Sequence, residues 1–182
     1  MPSKTKSDPL AKLFLSEAQA TFNRYLPRII RCIEQLSDDE IWWRPNSASN
    51  SVGNIVLHLS GNVRQWIISG LGGAPDTRDR DKEFSQQGPI PRAKLKARLT
   101  GIVREARRVV DLLPAEALTR KYWIQGYHAT GLQAISTVHE HFSHHAGQII
   151  YITKLKRGKD LRFTHLPPIK KPRGPSSRRS RG

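Results

Sequence analysis

Four long stretches of the chain repeat apolar residues at steps of three and four, and this pattern restricts the fold more than any other feature. Such spacing lines apolar side chains along one face of an α-helix, because one helical turn takes about 3.6 residues. The predicted helices cover residues 9–36, 51–70, 91–113 and 132–156. Little of the remaining sequence alternates as a strand does, so we predict an all-α four-helix bundle.

Residues that cap helices stand at several of the predicted ends. Asp8 and Pro9 suit an N-cap and a first helical position, and Ser51 suits a second N-cap. Gly158 suits the left-handed residue that follows a helix. Pro27 lies inside the first helix and predicts a kink or a break just before it, because proline removes a backbone donor.

The connections between the helices differ in composition. Residues 70–89 are rich in Gly, Pro and alternating charge, which predicts a long link that could cross the bundle between helices two and three. Ser37 is expected to open a short capped turn after the first helix. Residues 120–131 combine aromatic side chains with Gly126, a composition typical of an extended or hairpin-like segment.

The net charge of +16 resides mainly at the C-terminus, where residues 154–182 contain 11 Lys and Arg against the single acid Asp160. We predict a flexible N-terminus over residues 1–8, a folded domain over 9–157 and a basic, disordered tail over 158–182. Such a tail either solubilises the protein or binds nucleic acid through release of counterions.

Features that would direct the chain out of the cytoplasm are not seen in the sequence. The N-terminal residues contain lysines without an apolar core, so we expect no secretory signal. The apolar runs are shorter than the roughly 18 residues that a membrane helix needs. With Cys32 as the one cysteine, a disulfide within the chain is impossible. We therefore expect a soluble, cytoplasmic protein.

Four of the seven histidines lie between residues 138 and 152, within the fourth predicted helix. His141 and His145 are four residues apart and therefore share a helical face, as two histidine ligands of one metal ion do. Gln148 continues the same stripe, and His144 lies about 60° away from it and could substitute for a ligand. The same spacing also occurs by chance, so a polar core role stays open.

A third ligand is predicted from the second helix, where His58 interrupts a strongly apolar run. Asn54 and Asn62 flank it at four-residue steps and form a polar stripe that could orient metal ligands from behind. Facing helices of a bundle often build metal sites together. A lone buried histidine is commonly only a hydrogen-bonded core residue, and that alternative also stays open.

Two motifs carry a resemblance to a known family. "NSVGNIVLHLSGNVRQWI" (residues 50–67) and "HFSHHAGQI" (141–149) resemble the histidine segments of the DinB/YfiT-like superfamily of metal-dependent enzymes. "RDRDKEF" (78–84) resembles an uncharacterised bacterial subgroup of that superfamily. The resemblance covers roughly residues 10–157. The family often has Arg after the last ligand, where this chain has Ala146, so the contacts of that arginine are absent here.

The resemblance implies a four-helix bundle with a long link after helix two, often assembled as a homodimer. It implies one divalent transition metal ion per chain, nickel or zinc, held by His58, His141 and His145. Asn54, Asn62, Gln148 and His144 are the residues expected to support these ligands from behind. Relatives use low-molecular-weight thiols, which implies a metal-dependent S-transferase acting on an electrophilic small molecule, with hydrolysis less favoured.

The catalytic residues are not identified by the sequence. Tyr127, His128 and Arg64 are the nearest candidates for contacts with a substrate. The alternative function is a bundle that a metal ion merely stabilises and whose basic tail binds nucleic acid during stress or damage. The body of the chain has neither a helix-turn-helix signature nor an aromatic and basic platform, so any nucleic-acid binding would reside in the tail.

Overall fold

Helices form most of the chain described by the computed structural model, which covers residues 8–164. The elements in chain order are α1 Pro9–Gln35, α2 Asp38–Trp42, α3 Val52–Val63, α4 Arg80–Ser85, α5 Arg92–Leu112, β1 Lys121–Ile124, β2 Tyr127–Thr130 and α6 Gly131–Arg157. Helix α3 continues as π-helical turns over Arg64–Leu71, and a short 3-10 turn over Ala115–Leu118 precedes β1. The predicted helical bundle is confirmed.

The capping residues act as the sequence predicts. The Asp8 carboxylate accepts hydrogen bonds from the first amides of α1, and Ser51 forms a reciprocal capping box with Asn54. Ser37 caps α2 in the same way. Gly158 follows α6 with a φ of 62°, a left-handed conformation that glycine adopts without steric conflict.

Helix α1 runs through Pro27 without interruption, so the alternative of a broken helix is wrong. Phe22 is buried before the proline, and Ile29 and Ile33 are buried after it. Packing on both sides of Pro27 holds the two halves in one helix although a backbone hydrogen bond is lost.

The core lies where α1, α3, α5 and α6 pack against one another. The largest fully buried side chains are Phe22, Phe142, Ile29, Ile33, Leu36, Ile41, Leu59, Ile67, Ile68, Leu95, Leu99 and Ile135. Phe22 of α1 meets Phe142 of α6 edge to face, with ring centroids 5.5 Å apart. Every residue of α3 from Val52 to Val63 is buried, which makes α3 the central helix.

Strands β1 and β2 form the predicted antiparallel hairpin, in which Lys121 pairs with Thr130. Its turn contains Gln125 and Gly126, both with positive φ. The Trp66 indole donates a 2.9 Å hydrogen bond to Oε1 of Gln125 and ties the turn to the π-helical segment. The hairpin therefore closes one end of the bundle and leads directly into α6.

The link between α3 and α5 is more ordered than its composition predicts. It contains helix α4, capped by Asp79, whose carboxylate accepts from the Lys82 amide. The Asn54 side chain on α3 donates to the carbonyls of Glu83 and Gln86 at 2.9 and 2.7 Å. These bonds attach the link to the central helix.

Two predicted segments, the flexible N-terminus and the basic tail, extend beyond the residues that the structure describes. Residues 1–7 and 165–182, on which the flexible N-terminus and most of the basic tail depend, lie outside the described range. Among the described residues, none of the helices combines the length and the apolar character needed to cross a membrane.

Replacing Phe22 by Ala is expected to lower the free energy of unfolding by about 3–5 kcal/mol, because the cavity would lie between α1 and α6. Leu13→Ala is the matched control on the same helix, since Leu13 is 62% exposed, and it should change stability by less than about 0.5 kcal/mol. Urea unfolding followed by circular dichroism measures both. Equal effects of the two substitutions would contradict the assigned core.

Candidate metal centre

Three histidines from two core helices converge on one point inside the bundle. Nε2 of His58 on α3 lies 2.9 Å from Nε2 of His141 on α6, and Nε2 of His145 lies 3.0 Å from the same atom. One ligating atom from each of the three residues lies within 4.8 Å of the other two. His58 is buried, and the other two are partly buried. The arrangement could hold one metal ion.

The local geometry of each helix explains this convergence. His141 and His145 stand one helical turn apart on α6, so their rings project to the same side. His58 lies in the middle of α3, which packs against α6. Two residues of the cluster are therefore adjacent because of local helix geometry, and the third meets them through helix packing.

His58 has a hydrogen-bond partner that the sequence analysis missed. Oε2 of Glu83, on α4, lies 2.9 Å from Nδ1 of His58. Arg78 holds the same carboxylate with two bonds, from Nε to Oε1 at 2.8 Å and from Nη2 to Oε2 at 2.9 Å. Gln65 accepts a further bond from Arg78 at 2.9 Å. Arg78 and Glu83 both lie in the "RDRDKEF" segment, and its resemblance to a bacterial subgroup is the feature of the sequence that pointed to them.

Glu83 is buried yet charged. Burial opposes ionisation of its carboxyl, but the hydrogen bonds from Arg78 and His58 outweigh burial and hold the pKa of Glu83 below its ordinary value. The carboxylate lies directly against the backbone of α3 at Gly61, where a Cβ atom would come within 1.8 Å of Oε1. A residue larger than glycine at this position would displace the carboxylate.

The predicted supporting residues of α6 lie beside His145. Nδ1 of His145 is 2.7 Å from Oε1 of Gln148, and Nε2 of Gln148 is 3.3 Å from Nε2 of His144. His141 differs from the other two histidines, because its Nδ1 is buried and has no hydrogen-bond partner within residues 8–164.

Asn54 and Asn62 have different surroundings from those expected. Asn54 is hydrogen-bonded to Ser51, to Arg44 and to the backbone of the link, so it supports the attachment of the link. Asn62 is buried, and its Oδ1 has no hydrogen-bond partner.

The three residues predicted to contact a substrate are engaged elsewhere. Nη1 of Arg64 lies 3.8 Å from Oε2 of Glu105, the His128 ring packs on Trp123, and Tyr127 is exposed on β2. None of these contacts connects them with the three converging histidines.

The converging imidazoles of α6 are neutral at pH 7. Burial, together with the neighbouring His145, His58 and Arg78, lowers the pKa of His141 to about 3. Burial likewise lowers the pKa of His145 to about 4, although its hydrogen bond with Gln148 opposes the change. Neutral imidazole is the form that ligates metal ions.

The hydrogen bonds indicate where the ring protons lie. A carboxylate and an amide oxygen only accept, so His58 and His145 donate from Nδ1 and carry lone pairs on Nε2. Both lone pairs face Nε2 of His141, which has one proton at most and can satisfy one of them. At least one approach of about 3 Å therefore has no proton between the two nitrogens, an arrangement that a cation relieves. The donor set fits a borderline transition metal ion.

These features define a class of protein, a helical bundle with a three-histidine cluster between two core helices that could bind a metal ion. The chain belongs to the family described as Protein of unknown function (DUF1572), which matches residues 9–170. No curated protein sequence matches the chain.

Solved structures share the fold. A DinB-like protein from Bacillus subtilis is 17% identical with a TM-score of 0.61, over 80% of this chain and 94% of that one. A DinB-like protein from Bacillus cereus is 14% identical with a TM-score of 0.62, over 78% and 91%. A conserved protein from Enterococcus faecalis is 17% identical with a TM-score of 0.66, over 79% and 97%. The fold is therefore DinB-like, as the resemblance implied.

Lowering the pH is expected to destabilise the metal-free protein. The folded-state pKa values of His141 and His145, about 3 and 4, lie below the ordinary value of 6.5. The unfolded chain therefore binds protons first, and the stability from neutral histidines is complete above about pH 6.5 and declines as the pH falls towards 4. Each histidine contributes a slope of up to about 1.4 kcal/mol per pH unit.

Urea unfolding in the presence of a chelator, repeated between pH 7 and pH 5, measures this slope, to which His139 also contributes because burial lowers its pKa to about 4. A free energy of unfolding that stays constant over this range would contradict the burial of neutral imidazoles.

Proposed function

We propose that the protein binds one divalent transition ion, nickel or zinc, through His58, His141 and His145, and that it uses this centre as a thiol-dependent S-transferase. The observation that carries the proposal is the convergence of three Nε2 atoms from α3 and α6. The DinB-like fold supports this proposal. The two histidine segments support it as well, because their sequence motifs resemble those of metal-dependent relatives.

Three protein ligands suit a centre that takes part in chemistry, because they leave a coordination position for a substrate or a water molecule. When bound, the ion would act as a Lewis acid that lowers the pKa of a coordinated thiol and presents it as a thiolate. The chain's own contribution is to hold three imidazoles in place and to exclude much of the solvent around His58.

The polar groups beside the centre favour a nucleophile that needs no separate base. Both oxygens of Glu83 accept hydrogen bonds from Arg78, so this carboxylate is poorly placed to take a proton from a substrate. Gln148 and Asn62 are amides, which orient groups but do not accept protons at neutral pH. In the proposed transfer the thiol would release its proton to solvent, and its sulfur would form a bond to the electrophilic carbon of the second substrate as the bond from that carbon to its leaving group breaks. Separately from this chemistry, assembly of two copies of the chain into a homodimer stays a prediction.

Protein purified without a histidine tag is expected to contain about one transition ion per chain, and His141→Ala should lose most of it, because His141 lies between the other two ligands. His128→Ala is the matched control, since His128 is exposed on β2. Elemental analysis after dialysis against added nickel or zinc measures the content. An unloaded wild type, or a His141→Ala variant with full metal content, would contradict the proposed centre.

A low-molecular-weight thiol is expected to bind the centre directly. Protein loaded with cobalt should develop a near-ultraviolet thiolate-to-metal charge-transfer band when the thiol is added, and a serine analogue of the thiol, with an alcohol in place of the sulfur, should not produce it. Turnover is then tested by loss of free thiol in the presence of electrophiles. Metal-loaded protein that gives neither the band nor thiol consumption would leave metal binding in place and contradict the S-transferase.

A further inference from the structure

We propose that Glu83, held by Arg78, is a positioning residue that fixes His58 in its metal-binding form, so that the link between α3 and α5 is part of the centre. This inference rests on the proposed metal-binding function and names a residue group outside the three predicted ligands. It concerns how the site is built and acts through His58, since Glu83 itself does not reach the converging Nε2 atoms.

The first step is the position of the proton on His58. Oε2 of Glu83 lies 2.9 Å from Nδ1, and a charged carboxylate can only accept a hydrogen bond. If Nδ1 carried a lone pair, two acceptors would face each other inside the protein. Nδ1 therefore carries the proton, and Nε2 presents its lone pair to His141 and His145.

Nη2 of Arg78 also lies 3.1 Å from Nδ1 of His58, which raises the question of whether the arginine donates to the ring. Arg78 already aligns Nε and Nη2 with the two oxygens of Glu83 at 2.8 and 2.9 Å, the paired geometry in which guanidinium binds carboxylate most strongly. The carboxylate is thus the shared acceptor, with Arg78 and His58 donating to it from two directions.

The second step is the rigidity of the carboxylate. The backbone carbonyl of Glu83 accepts from Asn54, and Gln65 accepts from Arg78, so both members of the ion pair are attached to α3 and its π-helical extension. The side chains of Arg78 and Glu83 are 3% and 6% exposed. Because Gly61 has no side chain, the carboxylate can lie against α3 one turn after His58.

The third step is the difference between the three ligands. His58 donates to a carboxylate that Arg78 holds on both oxygens, and His145 donates to the Gln148 amide. Among the residues that the structure describes, Nδ1 of His141 has no partner. A carboxylate behind a histidine ligand orients the ring and increases its basicity more than an amide does. His58 is therefore the ligand whose orientation the fold controls most firmly.

Arg78 makes this arrangement stable before an ion binds. A buried carboxylate without a cationic partner would be strongly destabilising, whereas this carboxylate accepts hydrogen bonds from Arg78 on both oxygens at 2.8 and 2.9 Å. The pair has no net charge, so a divalent ion at the histidines would keep its positive charge and its attraction for an anionic ligand such as a thiolate.

The test is the affinity of the purified protein for nickel and for zinc, measured by competition with a chromophoric chelator. Glu83→Gln should weaken binding by on the order of 10- to 100-fold. An amide has one acceptor oxygen, so it cannot accept from Nε of Arg78, Nη2 of Arg78 and Nδ1 of His58 at once. Whichever way it turns, one of these bonds is lost, and where its N–H group faces Nδ1 it stabilises the proton on Nε2, which blocks the metal. Glu105→Gln is the matched control and should bind as the wild type does, because Glu105 is half exposed and pairs with Arg64 rather than with Arg78 or a histidine.

A second variant displaces the Glu83 carboxylate without changing its charge, and it has its own matched control. Gly61→Ala would put a Cβ atom within 1.8 Å of Oε1 of Glu83 and 3.0 Å of Nε of Arg78 and should weaken metal binding to a similar degree. Gly101→Ala on α5, where nothing lies within 4 Å of the added Cβ, should leave the affinity unchanged.

The nitrogen-15 spectrum of the histidine rings in metal-free wild type gives a readout that needs neither metal nor a stable variant. The proposal predicts that His58 is protonated on Nδ1, and protonation on Nε2 would overturn it. Metal binding by the wild type with unchanged affinity in both Glu83→Gln and Gly61→Ala would overturn the positioning role alone. A wild type that binds neither ion would overturn the proposed function itself.

Discussion

The complete burial of α3 is the constraint on which the rest of the structure depends. Every residue from Val52 to Val63 is inside the protein, although the helix carries Asn54, His58 and Asn62. Buried polar groups without partners are strongly destabilising, and the surrounding elements supply hydrogen bonds to Asn54 and His58. Most of the specific features of this bundle follow from how that requirement is met.

The link between α3 and α5 meets much of the requirement. Its backbone accepts hydrogen bonds from Asn54, and its Glu83 accepts from His58, while Arg78 balances the carboxylate charge. On the other side of α3, helix α6 brings His141 and His145 to Nε2 of His58. His58 is therefore contacted by two parts of the chain. One is helix α6 of the bundle, and the other is the link, whose composition is that of a surface loop.

The three histidines differ in what surrounds their Nδ1 atoms, and the shared fold does not account for these differences. Structures that are 14–17% identical share the bundle, and that likeness describes the backbone alone. The chemistry depends on details of a few side chains, such as a carboxylate behind His58, an amide behind His145 and a bare Nδ1 on His141. Neutral imidazoles in a partly dry environment are ready to bind a cation, and the outer partners decide how firmly each ring is oriented.

The amino-acid sequence alone determined whatever depends on neighbours within one or two helical turns. The periodicity of apolar residues identified the long helices, Ser51 and Gly158 marked their ends, and the four-residue spacing placed His141 and His145 on one face. Packing decided the rest, because it joins residues far apart in the chain. Glu83 meets His58 from 25 positions away, on a short charged helix without an apolar stripe. Only the folded chain, with Gly61 leaving room against α3, brings that carboxylate behind the ligand.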